Sequence, residues 1–500
     1  MYKNLRYRET TYKRGLGVVS ILNWFSKNKP ISNDNSKSSL LEYAKDKLSL
    51  CSDVNLNHIE ITKDQSCTLI YINTITDGKL LKNFILNPLL KEIQKDKDVK
   101  SLVTKVKNRV IFPLQLNIQN DRDKIILDVL DGHAALFFEQ IDFVFLFPIK
   151  NYQKRSIAEP QNETVVIGPQ ESLIEDLDSN LSLLRHRLKH PNFKIKQYQV
   201  GEFTRTNVCL LYITDFANPH LLNIIEKKLK QIKIQGVLGV SYLSEFLEST
   251  PSSIFPQVLY TERPDTIVGS LLEGKISILV DGSPVSIIAP ITFATLLQSA
   301  EDYHQRYVVA TWIRWIRYFF VIASFLLPSF YVAITTFHPE MLPTDLLITI
   351  TAARELIPFP TLVEAIMMEM TFEGLREAGT RIPKPIGQTI SIIGAIVIGQ
   401  TAVQAGIVSS PVVIVVSITG IASYIIPHFE LGLSFRLLRF PMLILGGTLG
   451  LFGAFIGGLL ILYHLVNLTS FDVPYMKPIG PFEWKGIRDV FIRLSWRKRN

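Results

Sequence analysis

The stretch 338-HPEMLPTDLLITITAARELIPFPTLVEAIMMEMTFEGLREAGTRIPK-384 lies between long apolar runs, yet it carries Glu340, Asp345, Arg354, Glu355, Glu364, Glu369, Glu373, Arg376, Glu377 and Arg381. Ionisable groups among membrane spans are costly, and they mark either an ion or substrate route or a buried structural pair. Thr344 to Ile357 is about fourteen residues, roughly 21 Å of helix, which is too short for a bilayer. Pro343 and the Pro358-Phe-Pro360 pair bracket it. A re-entrant or broken helix is expected, tolerated only where protein or water covers its backbone. Asp345, Thr349 and Ala352 share one face, beside an apolar strip of Leu346, Ile350, Ala353 and Ile357. In the next helix, about Thr361 to Ala378, Glu369, Glu373, Arg376 and Glu377 cluster on one face. Glu364 falls with the apolar group, where a partner such as Arg354 accounts for it as well as an ion site would.

Outward from this segment the chain reads as membrane on both sides. Arg306, Trp312, Arg314, Trp315 and Arg317 form a basic, aromatic collar before a first span, Tyr318 to Phe337. Gly387 to Val408, a short Pro411 to Ile426, and Pro441 to Val466 read as three more. Gln400 and Gln404 stack at i, i+4 and suit an interhelical hydrogen bond or a wet path. Gly446, Gly450, Gly453 and Gly457 recur at spacings that let another helix approach, within one subunit or across a dimer. The collar and the tail (Lys477, Lys485, Arg488, Arg493, Arg497, Lys498, Arg499) are both basic, which places both ends in the cytoplasm. An even number of crossings follows: four spans, with 338–384 not crossing.

Residues 46–300 alternate β-branched runs with helical patterns, an α/β or α+β signature. Two halves echo each other at an offset of roughly 142 residues. Cys67 to Asn73 matches Val208 to Thr214, Ile111-Phe-Pro113 matches Ile254-Phe-Pro256, and Asp131-Gly132 matches Glu273-Gly274. A hairpin is expected at Ile276 to Val280, Asp281-Gly282 and Val285 to Ala289. The organisation is thus a flexible basic arm (1–45), subdomain 1 (46–155), a connecting helix and linker (156–195), subdomain 2 (196–300), a membrane domain (301–468) and a basic tail (469–500). Arg155 and Glu159 at the start of the linker, and Glu262 and Arg263 in subdomain 2, are candidate subunit contacts, with a solvated face for the former and helix capping for the latter as the plain alternatives.

Composition sets the exclusions. The net charge of +8 suits anionic lipid, and no dense basic patch suggests nucleic acid. Cys51, Cys67 and Cys209 have no metal-ligand spacing and read as thiols in a reducing compartment. No phosphate loop, nucleophile elbow or zinc motif occurs, so neither catalytic residues nor metal or cofactor are expected.

Taken together, Arg155-Ser-Ile-Ala-Glu-Pro160, Thr261-Glu-Arg-Pro-Asp265, Leu271-Leu-Glu-Gly274, Pro358-Phe-Pro360, Val363-Glu-Ala365, Arg376-Glu-Ala-Gly379, Gly399-Gln400 and Arg436-Leu-Leu-Arg-Phe-Pro441 resemble, in order, the A subunits of GerA-type spore germinant receptors. Ile167, Gln170, Gln404 and Asp472 depart from that pattern. The resemblance implies a multi-pass protein of the spore inner membrane that acts with a transporter-like B subunit and a C-subunit lipoprotein. It also implies a homo-oligomeric, nutrient-gated cation channel. On that reading Leu346, Ile350 and Ile357 form an apolar gate, with Glu355 or Glu364 as nearby charges and Arg354, Gln400 and Gln404 as intramembrane polar groups. A non-conducting scaffold is the alternative, and a secondary transporter ranks after it.

Overall fold

The first strands follow from runs such as Gln65–Ile72, nearly all of which is buried. The computed structural model describes residues 39–493, apart from 63–64, 113, 140, 152–159, 161–162, 164 and 382–396. Helix α1 (Leu40–Lys47) opens with a capping box in which Ser39 and Glu42 bond each other's backbone. It lies partly within the stretch expected to be a flexible arm, and it buries Leu41 and Ala44.

Subdomain 1 contains β1 (Val54–Thr62), β2 (Gln65–Ile72), α2 (Asn87–Lys95), α3 (Val99–Lys107), β3 (Asn117–Gln119), α4 (Arg122–Leu130), β4 (His133–Phe138) and β5 (Val144–Pro148). Its sheet order is β1-β2-β4-β5-β3. After α5 (Leu177–Arg187), the second unit repeats the plan with β6 (Phe193–Val200), β7 (Thr206–Ile213), α6 (Pro219–Gln231), α7 (Val240–Leu247), β8 (Leu259–Thr261), α8 (Pro264–Leu272), β9 (Ile276–Val280) and β10 (Ser286–Ala289). Its order, β6-β7-β9-β10-β8, is the same position for position. The expected hairpin is β9–β10, with Ile287 opposite Ile278 and Gly282 at φ +78° in the turn.

A buried ion pair joins the two units. Arg185 of α5 is fully buried. Its Nε and Nη2 each donate to Asp53 at 2.9 Å, and Nη1 donates to the Phe193 carbonyl at 3.1 Å. Removing either partner would leave a charge stranded in the interior, which is the expensive case.

The helical half comprises α9 (Tyr307–Phe337), α10 (Thr344–Arg354), α11 (Thr361–Arg381), α12 (Ser410–Tyr424), α13 (Phe429–Asn467) and, beyond a two-stranded turn, α14 (Trp484–Phe491). Among the described residues, α9 and α13 are long and apolar enough to cross a membrane by length and composition. Residues 387–396 of the expected span Gly387 to Val408 lie outside the described residues, and α12 is short.

The structure corrects one expectation. Pro441 to Val466 is not one rod: α13 breaks at Gly450 (φ 64°, ψ −149°) and folds back. A Cβ on Gly457 would meet Met442 Sδ at 2.5 Å, and one on Gly453 would meet the Leu445 carbonyl oxygen at 2.1 Å. Both Phe435 and His464 pack on the ring of Phe255. Each leg is roughly 25–30 Å long at 1.5 Å per residue. Within 338–384, α10 is short, and α11 runs antiparallel to the first leg of α13, with Leu362 against Gly447, Glu369 bonded to Arg439 and Glu373 to Arg436. Buried ion pairs let a charged helix take this path, and counting charges does not reveal pairs made across space.

Candidate functional site

Three polar layers stack along α11. The outermost is built on Glu364, which is fully buried. Its Oε1 accepts from Arg354 Nε at 3.3 Å, and its Oε2 accepts from both the backbone N–H and the hydroxyl of Ser409 at 2.8 Å. Ser409 is the N-cap of α12, so the carboxylate sits at the positive end of that helix. One side chain therefore ties α10, α11 and α12 together. Beside it, the buried Thr361 Oγ1 has no hydrogen-bond partner among the described residues.

In the middle layer Glu369 accepts from Arg439 Nη1, and Arg439 Nε donates to the Ser324 carbonyl at 2.9 Å, joining α11, α13 and α9. Both charged side chains are buried. In the third layer Glu373 accepts from Arg436 and from Arg376. Arg376 also donates to Ser423 Oγ at 3.0 Å and to the Tyr424 hydroxyl at 3.2 Å, and lies 4.6 Å over the Tyr424 ring. Arg436 and Arg439 entered the sequence reading only as part of a motif. The signal for them was the surplus of acids on α11 facing two arginines at i, i+3 inside an otherwise apolar helix.

The gate candidates are not all alike. Ile350 is buried, Leu346 is 47% exposed, Ile357 is half-buried and Glu355 is exposed. Ile350 is the one buried residue of α10. The helix otherwise presents Leu346, Ile348 and several threonines outward, with Thr349 and Thr351 hydroxyls returned to their own backbone. Gln400 and Gln404 are both exposed, on a helical turn at 397–404. Arg354 is engaged by Glu364.

At the other end the linker clamps the second unit to the helices. Arg263, nearly fully buried, donates twice to Asp265, and to the carbonyls of Glu163 and Pro169 at 3.2 and 3.0 Å. Glu262 Oε1 accepts from the Glu163 N–H at 3.0 Å. These two candidate contact residues thus bond within the chain; Arg155 and Glu159 lie outside the described residues. Burial pushes the Glu163 carboxyl up to about 7, against hydrogen bonds from Thr261 Oγ1 and the Glu262 N–H that favour its ionised form. Its Oε1 lies 3.9 Å from Nδ1 of His428, the N-cap of α13. Burial holds that imidazole down at about 4 and hence neutral, so this contact is not an ion pair. His428 Nε2 donates to the Gln298 carbonyl at 3.2 Å.

Comparison with known proteins covers nearly the whole chain. The family described as Bacillus/Clostridium GerA spore germination protein matches residues 42–500. The chain is 40% identical to the uncharacterized membrane protein YfkQ of Bacillus subtilis (strain 168), over 89% of this chain and 86% of that protein. It is 37% identical to spore germination protein KA of the same organism, over 94% and 86%. To spore germination protein A1, also from that organism, it is 37% identical over 86% and 88%. Among solved structures, the N-terminal domain of the A subunit of the Bacillus megaterium spore germinant receptor GerK3 aligns with 51% of this chain and 94% of that one, at 23% identity and a TM-score of 0.39.

Proposed function

The chain belongs to the GerA family of spore germination proteins, and from that premise we propose that it is the A subunit of a nutrient-sensing germinant receptor. In this reading it is a multi-pass protein of the spore inner membrane that assembles with copies of itself, a transporter-like B subunit and a C-subunit lipoprotein, and it catalyses no reaction. It acts as a ligand-gated cation channel, and the observation that supports this is α10. A helix too short to span, with apolar and hydroxyl side chains left outward and only Ile350 buried, calls for cover by another copy or for a position along an aqueous path. Leu346 and Ile357 form the apolar constriction, and the exposed Glu355 supplies acidic charge at its end. The purified chain in planar bilayers tests this by giving single-channel steps. Ile357→Ala in spores should then leak potassium constitutively. Normal dormancy and germination in that variant would remove Ile357 from the gate.

One observation favours a second reading, a non-conducting scaffold. Glu364, Glu369 and Glu373 are all paired to arginines, which is how a structural bundle disposes of buried charge. A scaffold gives no steps in the same bilayer experiment.

A further inference from the structure

Helix α14 stands apart from the rest of the helical half. At eight residues it is too short to persist alone. It is held by its last carbonyls: Arg314 Nη1 donates to that of Asp489, Tyr318 Oη to that of Val490 at 2.5 Å, and Trp315 Nε1 to that of Phe491 at 3.0 Å. These donors belong to the first turns of α9, so α14 is fixed beside the start of the first long apolar helix. Its sequence puts Trp484, Ile487, Val490 and Phe491 on one arc. The bundle takes only part of that arc. Val490 is buried, while Phe482, Trp484 and Phe491 remain 66%, 68% and 42% exposed, continuous with exposed Trp312 and Trp315 on α9.

The charge around this apolar face is positive on balance: residues 477–500 carry seven Lys and Arg against Glu483 and Asp489. Arg314 and Arg317, both buried, share the single carboxylate of Asp302. One Arg314 nitrogen, Nη2, has no acceptor among the described residues. Arg488 is exposed on α14 itself, and the sequence continues with Arg497, Lys498 and Arg499. An outward arc of aromatic side chains, pinned beside Trp312 and Trp315 at the start of α9 and flanked by Arg488, has the chemistry of a helix lying in a membrane interface.

We propose that α14 and the α9 collar together form an in-plane anchor that seats on anionic phospholipid headgroups, with Trp484, Phe482 and Phe491 in the acyl boundary and Arg488 at the phosphates. This goes beyond the receptor role and rests only on α9 crossing a bilayer.

The test uses the full chain in vesicles of phosphatidylcholine, with Cys51→Ala and an environment-sensitive fluorophore on Phe482→Cys. Cys67 and Cys209 are buried, and burial pushes both thiols up to about 12, so they stay unlabelled. A second chain labelled at Ile322→Cys, an exposed site within α9, reports whether that helix is in lipid at all. Trace doxyl-labelled phosphatidylglycerol and doxyl-labelled phosphatidylcholine serve as quenchers, and iodide reports water. The label at 482 should be shielded from iodide and quenched more strongly by the anionic phosphatidylglycerol than by phosphatidylcholine. That preference should fall about five-fold in Arg488→Gln, the effect of one basic residue at a charged surface. Equal quenching by the two lipids would overturn the anionic selectivity. A label at 482 open to iodide and untouched by either lipid, while 322 is quenched, would overturn the anchor and assign the face to a protein partner. Failure at 322 as well would remove the membrane premise instead.

Discussion

Burial lifts the Glu163 carboxyl from the ordinary carboxylate value of 4.5 to about 7, and the sign of its effect on stability follows. Between those two values the folded chain holds a proton that the unfolded chain has released. Folding is therefore favoured most below pH 4.5, and this contribution is lost as pH rises through 7. The slope is at most about 1.4 kcal/mol per pH unit for one proton. Denaturant unfolding of the full chain in micelles, from pH 4.5 to 8, should show stability falling with pH relative to Glu163→Gln, in which this proton is absent. Parallel curves for the two chains would show that Glu163 is solvated. The consequence reaches past one residue, because Glu163 bridges Thr261 and Glu262 of the second unit and faces His428 at the foot of α13. Arg185 makes a similar point at the residue scale. Its partner Asp53 stands 132 positions away, and nothing local in either residue names the other.

Among the elements, α13 shows what a glycine series can conceal. Spacings of three and four read as a surface for a neighbouring helix, and that reading is compatible with a straight rod or with a hairpin. Only the Gly450 backbone, in a region that residues with a Cβ avoid, distinguishes them. The series then separates by role. Gly453 and Gly457 let the two legs touch, Gly446 lies against Ser329 of α9, and Gly458 faces open space. Gly453→Ala should cost several kcal/mol through backbone collision, of the order of an overpacked core, whereas Gly458→Ala should be neutral or slightly stabilising through helix propensity. Thermal unfolding of the two variants in the same detergent decides this, and equal midpoints would mean the legs are not in contact. Other elements were legible in advance because local pattern suffices for them. The β9–β10 hairpin announced itself by Asp281-Gly282, and the doubled α/β plan by an offset of roughly 142 residues that recurs in several short runs. The acids of α11 were visible too, and so was Arg354 as a partner for Glu364, but Arg436 and Arg439, which pair with Glu373 and Glu369, lie on α13, and charge alone does not place them there.

At the scale of the whole molecule, the contacts order the helices from one end to the other. Ser324 meets Arg439, Ser329 meets Met442 and Gly446, and Phe337 meets Gly450, so α9 and the first leg of α13 run side by side away from the sheets. The second leg returns, since His464 bonds Ser253 and Ser470 bonds the Gln257 carbonyl. Helix α11 also returns, and α12 runs parallel to it, from Ser409 beside Glu364 to Ser423 beside Arg376. Gly450, His338 and Ser409 therefore lie toward one end, and Tyr424, His428 and both sheets toward the other. If this bundle sits in a bilayer along that axis, single cysteines at Met341 and Phe452, both exposed, should react with a membrane-impermeant maleimide from the side opposite the sheets. Cysteines at Tyr424 and Leu238, also exposed, should react only after the membrane is permeabilised. The site at 452 is decisive. A single crossing from Pro441 to Val466 puts it near mid-bilayer and unreactive from either side, whereas a hairpin puts it at the far surface. Labelling at 341 without labelling at 452 would return α13 to a single span and leave the path of α11 to be explained some other way.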